Sequence, residues 1–136
     1  MFLIAIVVAI ADQLTKILLA GKNFPVIGNF LAINYAENTG MGFGMMQGYN
    51  TALAFLTLVF IGAVLYYYDR IPKENSLIVF VGLLVGGALG NFIDRIAFGF
   101  VRDFIAFSFW PSFNIADAAI TIGGIGIIIY FWRKKK

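Results

Sequence analysis

Four long apolar segments dominate the pattern of hydrophobic and polar positions along the chain. They cover about residues 1–20, 49–68, 77–98 and 113–132. Because about 20 apolar residues span a bilayer as one α-helix, the pattern predicts four transmembrane helices. Segment 1–20 has no basic residue before its apolar run, which continues past Asp12 and Lys16 to Leu19, so we interpret it as an uncleaved first helix. We expect an all-α polytopic membrane protein with one domain, residues 1–136.

The composition agrees with a membrane protein and excludes other classes. The 136 residues are 61% hydrophobic and 12% charged, whereas soluble domains are about 45–50% apolar and about 25% charged. The net charge of +3 does not indicate a nucleic-acid partner, because four of the ten basic residues form the tail 133–136 beside an apolar segment, as in a cytoplasmic anchor. Cys and His are both absent, which excludes thiol nucleophiles, His bases and most zinc sites. We expect no metal and no cofactor.

The basic residues outside the apolar segments predict the orientation of the helices. Loop 69–76 and the tail together carry six of them, whereas loops 21–48 and 99–112 carry one each, Lys22 and Arg102. The positive-inside rule then places both termini in the cytoplasm and the two long loops on the outer side. These long loops are rich in aromatic residues and Gly, which suits the membrane interface.

Several charged residues lie where a bilayer disfavours them, since a charge at the centre of a span costs about 2.5–3.5 kcal/mol on insertion scales. In or at the ends of the predicted spans are Asp12, Lys16, Asp94, Arg95 and Asp117. In the predicted orientation they all lie toward the outer ends of their helices, and Asp103 lies in the outer loop near the fourth span. The polar set therefore predicts one site at the outer membrane interface.

Two pairs of polar residues in the predicted spans have helical spacing. Asp12 and Lys16 are four residues apart, so they share a helix face and form either a structural ion pair or a support for the site. Asn91 and Arg95 also share a face and follow a run of small residues that favours close helix packing. They act either as polar contacts between helices or as supports for the site.

Asp103 and Asp117 are the candidate catalytic pair. Asn114 is a good helix N-cap and Asp117 lies near the same helix start, so capping alone accounts for both. Alternatively, the loop that carries Asp103 returns to this helix end and brings the two carboxylates together. Two close carboxylates in a partly desolvated site share a proton, so that one activates water and the other donates a hydrogen bond to a carbonyl. This chemistry is that of aspartic proteases.

The run 34–44 is the remaining unusual segment. Its glycines, including Gly40, suit tight turns or close backbone approach. Asn38 binds an extended peptide, caps the following segment, or belongs to a plain turn-rich loop.

These motifs, in this order and over nearly the whole chain, resemble those of the lipoprotein signal peptidase family, also called signal peptidase II. The residues that carry the resemblance are Asp12-Gln13-x-Thr15-Lys16, Asn38-x-Gly40-x-x-Phe43, Gly86-Gly87-Ala88-x-Gly90-Asn91-x-x-Asp94-Arg95, Val101-x-Asp103-Phe104 and Phe113-Asn114-Ile115-Ala116-Asp117. Each motif alone is weak, whereas five in order on a four-span chain are specific.

The resemblance implies a bacterial membrane aspartyl endopeptidase that cuts prolipoproteins just before a diacylglyceryl-modified cysteine. It assigns catalysis to Asp103 and Asp117, and it does not lead us to expect a catalytic role for Asp94. It assigns substrate binding or support to Asn38, Gly40, Asn91, Arg95, Asn114, Asp12 and Lys16. It also implies that the outer loops form an extended, β-rich cradle and an interfacial flap. We expect a monomer in the cytoplasmic membrane, in contact with lipids.

The segment after Asn38-x-Gly40 departs from the family pattern, which has two alanines there. Here Met41 and Gly42 follow, and Met41 either narrows the cradle or contacts lipid. A serine common after the Phe of this motif is Gly44 here.

Other functions remain open on the residues alone. A proton-coupled transporter also places carboxylates in the membrane, but it predicts a polar path to the inner side, where 59–65 and 122–130 are almost wholly apolar. A head-group transferase needs clustered Asp residues to hold a metal, and here they are spread over three helices. A structural assembly subunit does not need Asp103 and Asp117 together.

Overall fold

The computed structural model describes residues 1–41 and 45–135. Its helices are α1 (Phe2–Leu19), α2 (Asn50–Tyr66), α3 (Asn75–Phe98) and α4 (Ile115–Lys134). Its strands are β1 (Asn23–Ile27), β2 (Leu31–Asn38), β3 (Val101–Phe107) and β4 (Trp110–Phe113). The motif residues Gly42, Phe43 and Gly44 and the tail residue Lys136 lie outside the described residues.

All four predicted helices are present, with shifted ends. Among the described residues, α1, α3 and α4 are long and apolar enough to cross a membrane, whereas α2 has 17 residues. The predicted end of α2 at residue 68 is wrong by two residues. The backbone N–H of Tyr67 bonds to the carbonyl oxygen of Ala63 with normal α-helical spacing, whereas the N–H groups of Arg70 and Ile71 bond three residues back, to Tyr67 and Tyr68. This tighter bonding forms the 3-10 turn Tyr68–Arg70 that follows the helix. Helix α4 begins two residues later than predicted because Phe113 ends β4 and Asn114 caps the helix.

Helix α3 is the centre of the helical bundle, and its glycines allow α1 and α4 to approach closely. A Cβ at Gly86 would lie 2.7 Å from the carbonyl oxygen of Ala5 in α1. One at Gly90 would lie 2.5 Å from the Asp12 carboxylate. From the other side, a Cβ at Gly123 of α4 would lie 2.6 Å from the carbonyl oxygen of Phe80. The small-residue run therefore acts as predicted, as a close contact between helices.

The two long loops form one antiparallel sheet with strand order β1-β2-β3-β4. Strand β2 pairs with β3 so that Asn38 faces Val101 and Ala36 faces Asp103. Asn38 is therefore a diagonal neighbour of Asp103, within reach of a polar side chain. Strand β4 runs directly into the N-cap of α4. The sheet thus delivers Asp103 from one strand and Asn114 from the next to the start of one helix.

Candidate active site

Asp103 and Asp117 line the same cavity, which has a volume of about 590 Å³. Asp103 is 2% exposed and lies within β3, and Asp117 is half-buried in the first turn of α4. The cavity is also lined by Asn38, Gly40, Asn91 and Arg95. The structure therefore brings six of the nine predicted site residues to one cavity, and the other three, Asp12, Lys16 and Asn114, lie behind it.

Asn114 links the two carboxylates. Its side-chain Nδ2 donates to Asp103 Oδ1 over 2.7 Å, and its Oδ1 accepts from the backbone N–H of Asp117 over 3.0 Å. In return the backbone N–H of Asn114 donates to Asp117 Oδ2 over 3.2 Å, which completes a capping box. The predicted capping is therefore present, and the same Asn114 also binds Asp103, so one side chain connects Asp103 to the helix start that carries Asp117.

Asn91 holds the second oxygen of Asp117, and Lys16 fixes the orientation of this amide. Asn91 Oδ1 accepts from Lys16 Nζ over 3.0 Å, and Asn91 Nδ2 donates to Asp117 Oδ1 over 2.7 Å. A lysine ammonium has donors only, so Asn91 must turn its oxygen toward Lys16. The amide NH₂ group then faces Asp117.

Asn38 ends β2 and connects Asp103 to the following turn. Its Nδ2 donates to Asp103 Oδ2 over 3.1 Å, and its Oδ1 accepts from the backbone N–H of Gly40 over 2.9 Å. Asn38 therefore both binds a carboxylate and caps a turn. Gly40 has no room for a side chain, because a Cβ there would clash with the carbonyl oxygen of Met45.

Arg95 and Asn50 hold the two ends of the segment between β2 and α2. Arg95 Nη2 donates to the carbonyl oxygen of Gly40 over 3.0 Å, and Asn50 Nδ2 donates to the carbonyl oxygen of Arg95 over 3.1 Å. Arg95 Nε is buried and has no hydrogen-bond partner among the described residues. Arg95 itself lines the cavity, and an unsatisfied buried donor of this kind costs about 1–3 kcal/mol.

Behind the cavity lies a buried ionic network that joins α1, α3 and β3. Lys16 Nζ lies 2.7 Å from Asp12 Oδ2 and 3.3 Å from Asp94 Oδ2, and these three side chains are fully buried. Asp12 also accepts from the backbone N–H of Ala116 over 2.9 Å. The predicted Asp12–Lys16 pair is therefore present, and it contacts the site through Asn91.

Arg102 and Gln13 complete this network, and the sequence interpretation did not select either as a site residue. The sequence places Arg102 among the basic residues of an outer loop. In the structure it is 7% exposed, and its Nη2 lies 2.7 Å from Asp94 Oδ1. Its Nε and backbone N–H both donate to Asp94 Oδ2, and its Nη2 donates to Gln13 Oε1. One feature of the sequence could have predicted this pair. Asp94 lies in an apolar helix and needs a counter-ion, and Arg102 follows it by eight residues, just before Asp103.

Burial is the main reason why the Asp103 carboxyl group is weakly acidic. Loss of water around it, together with the nearby Asp117 carboxylate, raises the pKa of Asp103 to about 7, although Asn38 and Asn114 oppose the shift by hydrogen bonding. A carboxyl group with this pKa holds a proton on part of the molecules at neutral pH.

This combination of apolar helices, a small sheet and two carboxyl groups in a hydrogen-bonded cavity defines a polytopic membrane protein with a site suited to acid–base chemistry. The model of the family "Signal peptidase (SPase) II" matches residues 4–133. The chain belongs to this family of membrane proteases.

Relatives cover nearly the whole chain. A lipoprotein signal peptidase of Halothermothrix orenii is 35% identical in an alignment of 140 positions that covers 99% of this chain and 97% of the relative. A lipoprotein signal peptidase of Staphylococcus aureus (strain JH9) is 42% identical over 93% of this chain and 84% of the relative. A bacterial membrane enzyme solved by the in meso method at 2.3 Å has a TM-score of 0.91 at 38% identity, over 98% of this chain and 88% of that one.

Proposed function

We propose that this chain is an aspartic endopeptidase that removes the signal peptide from diacylglyceryl-modified prolipoproteins, cutting just before the lipidated cysteine. The observation that carries the proposal is the pair of carboxyl groups in one cavity, linked by Asn114 and Asn91. Membership of the signal peptidase II family and relatives named lipoprotein signal peptidase support the substrate class. They give no support to the transporter alternative.

Asp103 and Asp117 share one proton in the proposed mechanism. Asp103, whose pKa is about 7, donates its proton to the oxygen of the scissile carbonyl. Asp117 takes a proton from the water that attacks the carbonyl carbon. The tetrahedral intermediate then collapses as Asp117 passes this proton to the leaving nitrogen, the former carbonyl oxygen returns its proton to Asp103, and the C–N bond breaks. Asn38, Asn91 and Asn114 hold the carboxyl groups in place.

The remaining site residues hold the substrate in this proposal. Arg95, which lines the cavity, suits a peptide carbonyl, because a guanidinium group is always a donor. Gly40 allows the backbone of the following loop to pack closely beside Asn38, which keeps this edge of the cavity in place. Asp12 and Lys16 lie behind the cavity. Lys16, paired with Asp12, orients the amide group of Asn91 by a hydrogen bond.

We further propose that α2 is the fourth transmembrane helix. Seventeen residues extend about 26 Å as an α-helix, which is near the lower limit for a span. Four spans would put both termini on the same side of the membrane, and the basic tail supports the cytoplasmic side of a bacterial cell through the positive-inside rule. The sheet then forms a cradle on the outer face of the cytoplasmic membrane, and one monomeric domain holds the whole site.

A gel-shift cleavage assay tests the function. The protein, purified in detergent, is mixed with a prolipoprotein with and without prior diacylglyceryl modification. We expect cleavage of the lipidated form alone, with a product that begins at the modified cysteine. Equal cleavage of both forms contradicts the proposed substrate class, and no cleavage by a folded protein contradicts the activity.

The alkaline side of the pH–rate profile reports the shared proton. Asp103 is neutral below its pKa of about 7 and ionised above it, so kcat/KM should fall as the pH rises through about 7. The Asn38 hydrogen bond favours the ionised form, so Asn38→Ala should raise the pKa and move this decline to higher pH. Asn29→Ala, in an exposed turn, is the control. A decline that does not move in Asn38→Ala contradicts the role of Asp103 as the acid.

A further inference from the structure

Two methionines line the cavity that holds the carboxyl groups. Met41 is 45% exposed and Met46 is 42% exposed, and both border this cavity together with Leu53 and Leu56 of α2. Neither methionine has a place in the proposed acid–base chemistry. We call Met41 and Met46 the methionine wall.

Hydrogen bonds hold the methionine wall next to the carboxyl groups. Asn38, which binds Asp103, accepts from the N–H of Gly40, and Arg95 donates to the carbonyl oxygen of Gly40. The N–H of Met41 then donates to the carbonyl oxygen of Met45 over 2.8 Å. Met41 is therefore three residues along the chain from Asn38, which binds Asp103.

The backbone of Met46 also indicates that its position is constrained. Its φ of 54° lies in the left-handed region, which is unfavourable for a residue with a long side chain. Such conformations persist where the surrounding structure requires them, and they are concentrated at ligand-binding sites. Met46 thus borders the cavity although its backbone conformation is unfavourable.

We propose that the methionine wall binds the acyl chains of the diacylglyceryl group, a proposal that rests on the proposed function. The wall offers no side-chain hydrogen-bond donor, whereas Asn38 and Arg95 offer donors to a peptide. Methionine is unbranched, flexible and polarizable, so it adapts to apolar ligands of irregular shape. An acyl chain next to the modified cysteine is such a ligand, and it must lie near the scissile bond.

The test compares substrates that share one peptide and carry S-diacylglyceryl groups with short or long acyl chains. For the unmodified enzyme, KM should fall as the acyl chains lengthen. The Met41→Gln/Met46→Gln variant should raise KM for the long-chain substrate about tenfold, which is the loss of about two buried methylene contacts. Its kcat, and its KM for the short-chain substrate, should not change.

Two controls match this variant. Met45→Gln changes the same residue type in the same segment, at a side chain that is 56% exposed and does not border the cavity, and it should retain the dependence on chain length. Met41→Leu/Met46→Leu preserves the apolar volume and should behave like the unmodified enzyme to within about threefold. Retained chain-length dependence in the double Gln variant overturns the proposal.

A photolabelling measurement on the unmodified enzyme keeps the test independent of variant folding. An uncleavable substrate analogue with a diazirine in its acyl chain should label Met41 or Met46, as located by mass spectrometry. Labelling confined to the outward side of α2, for example at Phe55, overturns the methionine wall even when cleavage is normal. Absence of cleavage of every substrate by the folded, unmodified enzyme would instead contradict the proposed function.

Discussion

Asp103→Asn and Asp117→Asn are each expected to lower kcat by about 10²–10⁴-fold, the usual contribution of a positioned acid or base. Asn is nearly isosteric with Asp, but it neither takes nor gives the proton that the proposed reaction moves. Either variant leaves a lone carboxyl group in the cavity, so the shared proton is lost. Single-turnover cleavage of a lipidated prolipoprotein measures the effect.

These variants should remain folded. At position 117, Asn keeps one acceptor oxygen for the two N–H groups that now bind the carboxylate, from Asn91 and the backbone of Asn114. The loss of one hydrogen bond costs about 1 kcal/mol. Asp69→Asn, in the exposed 3-10 turn, is the matched control and should cleave at the normal rate. Normal turnover in either site variant would contradict the carboxylate pair.

The helical part of this fold is predictable from the sequence because the bilayer dictates it. Apolar runs of about 20 residues have few alternatives to a helix, and Gly86 and Gly90 predict where helices come close. The helix ends were less predictable. The end of α2 depends on the change to i→i−3 hydrogen bonds from the N–H groups of Arg70 and Ile71, which no hydrophobic pattern encodes.

The site was predictable as a set of residues and less so as a set of contacts. Polar residues that a bilayer disfavours must find partners, so Asp12, Lys16 and Asn91 were expected to converge. The partner of Asp94 was not predictable, because Arg102 lies across a chain reversal whose geometry depends on the pairing of β3 with β2. For the same reason, the diagonal contact between Asn38 and Asp103 requires the strand register.

Asp94→Asn is expected to cause the largest loss of stability in the chain. The carboxylate of Asp94 accepts hydrogen bonds from Gln13 and from three nitrogens of Arg102, and it also lies beside Lys16. Removing its charge leaves a buried guanidinium group without a counter-ion, which costs about 3–5 kcal/mol. For a chain of this length, that loss lowers the thermal unfolding midpoint by about 10 °C or more.

The control is Glu74→Gln, which breaks the ion pair between Glu74 and Lys134 on the surface. Both of these side chains are more than half exposed, so water replaces the lost contact and the midpoint should not change measurably.

The double variant Asp94→Leu/Arg102→Leu tests the cause of the loss in Asp94→Asn, because apolar replacement of a buried ion pair is often neutral. The double variant should be more stable than Asp94→Asn, because Lys16 still has Asp12 as its counter-ion. If Asp94→Asn unfolds at the normal temperature, the network does not stabilise the fold. If the double variant is the less stable one, the loss comes from packing and not from the uncompensated charge of Arg102.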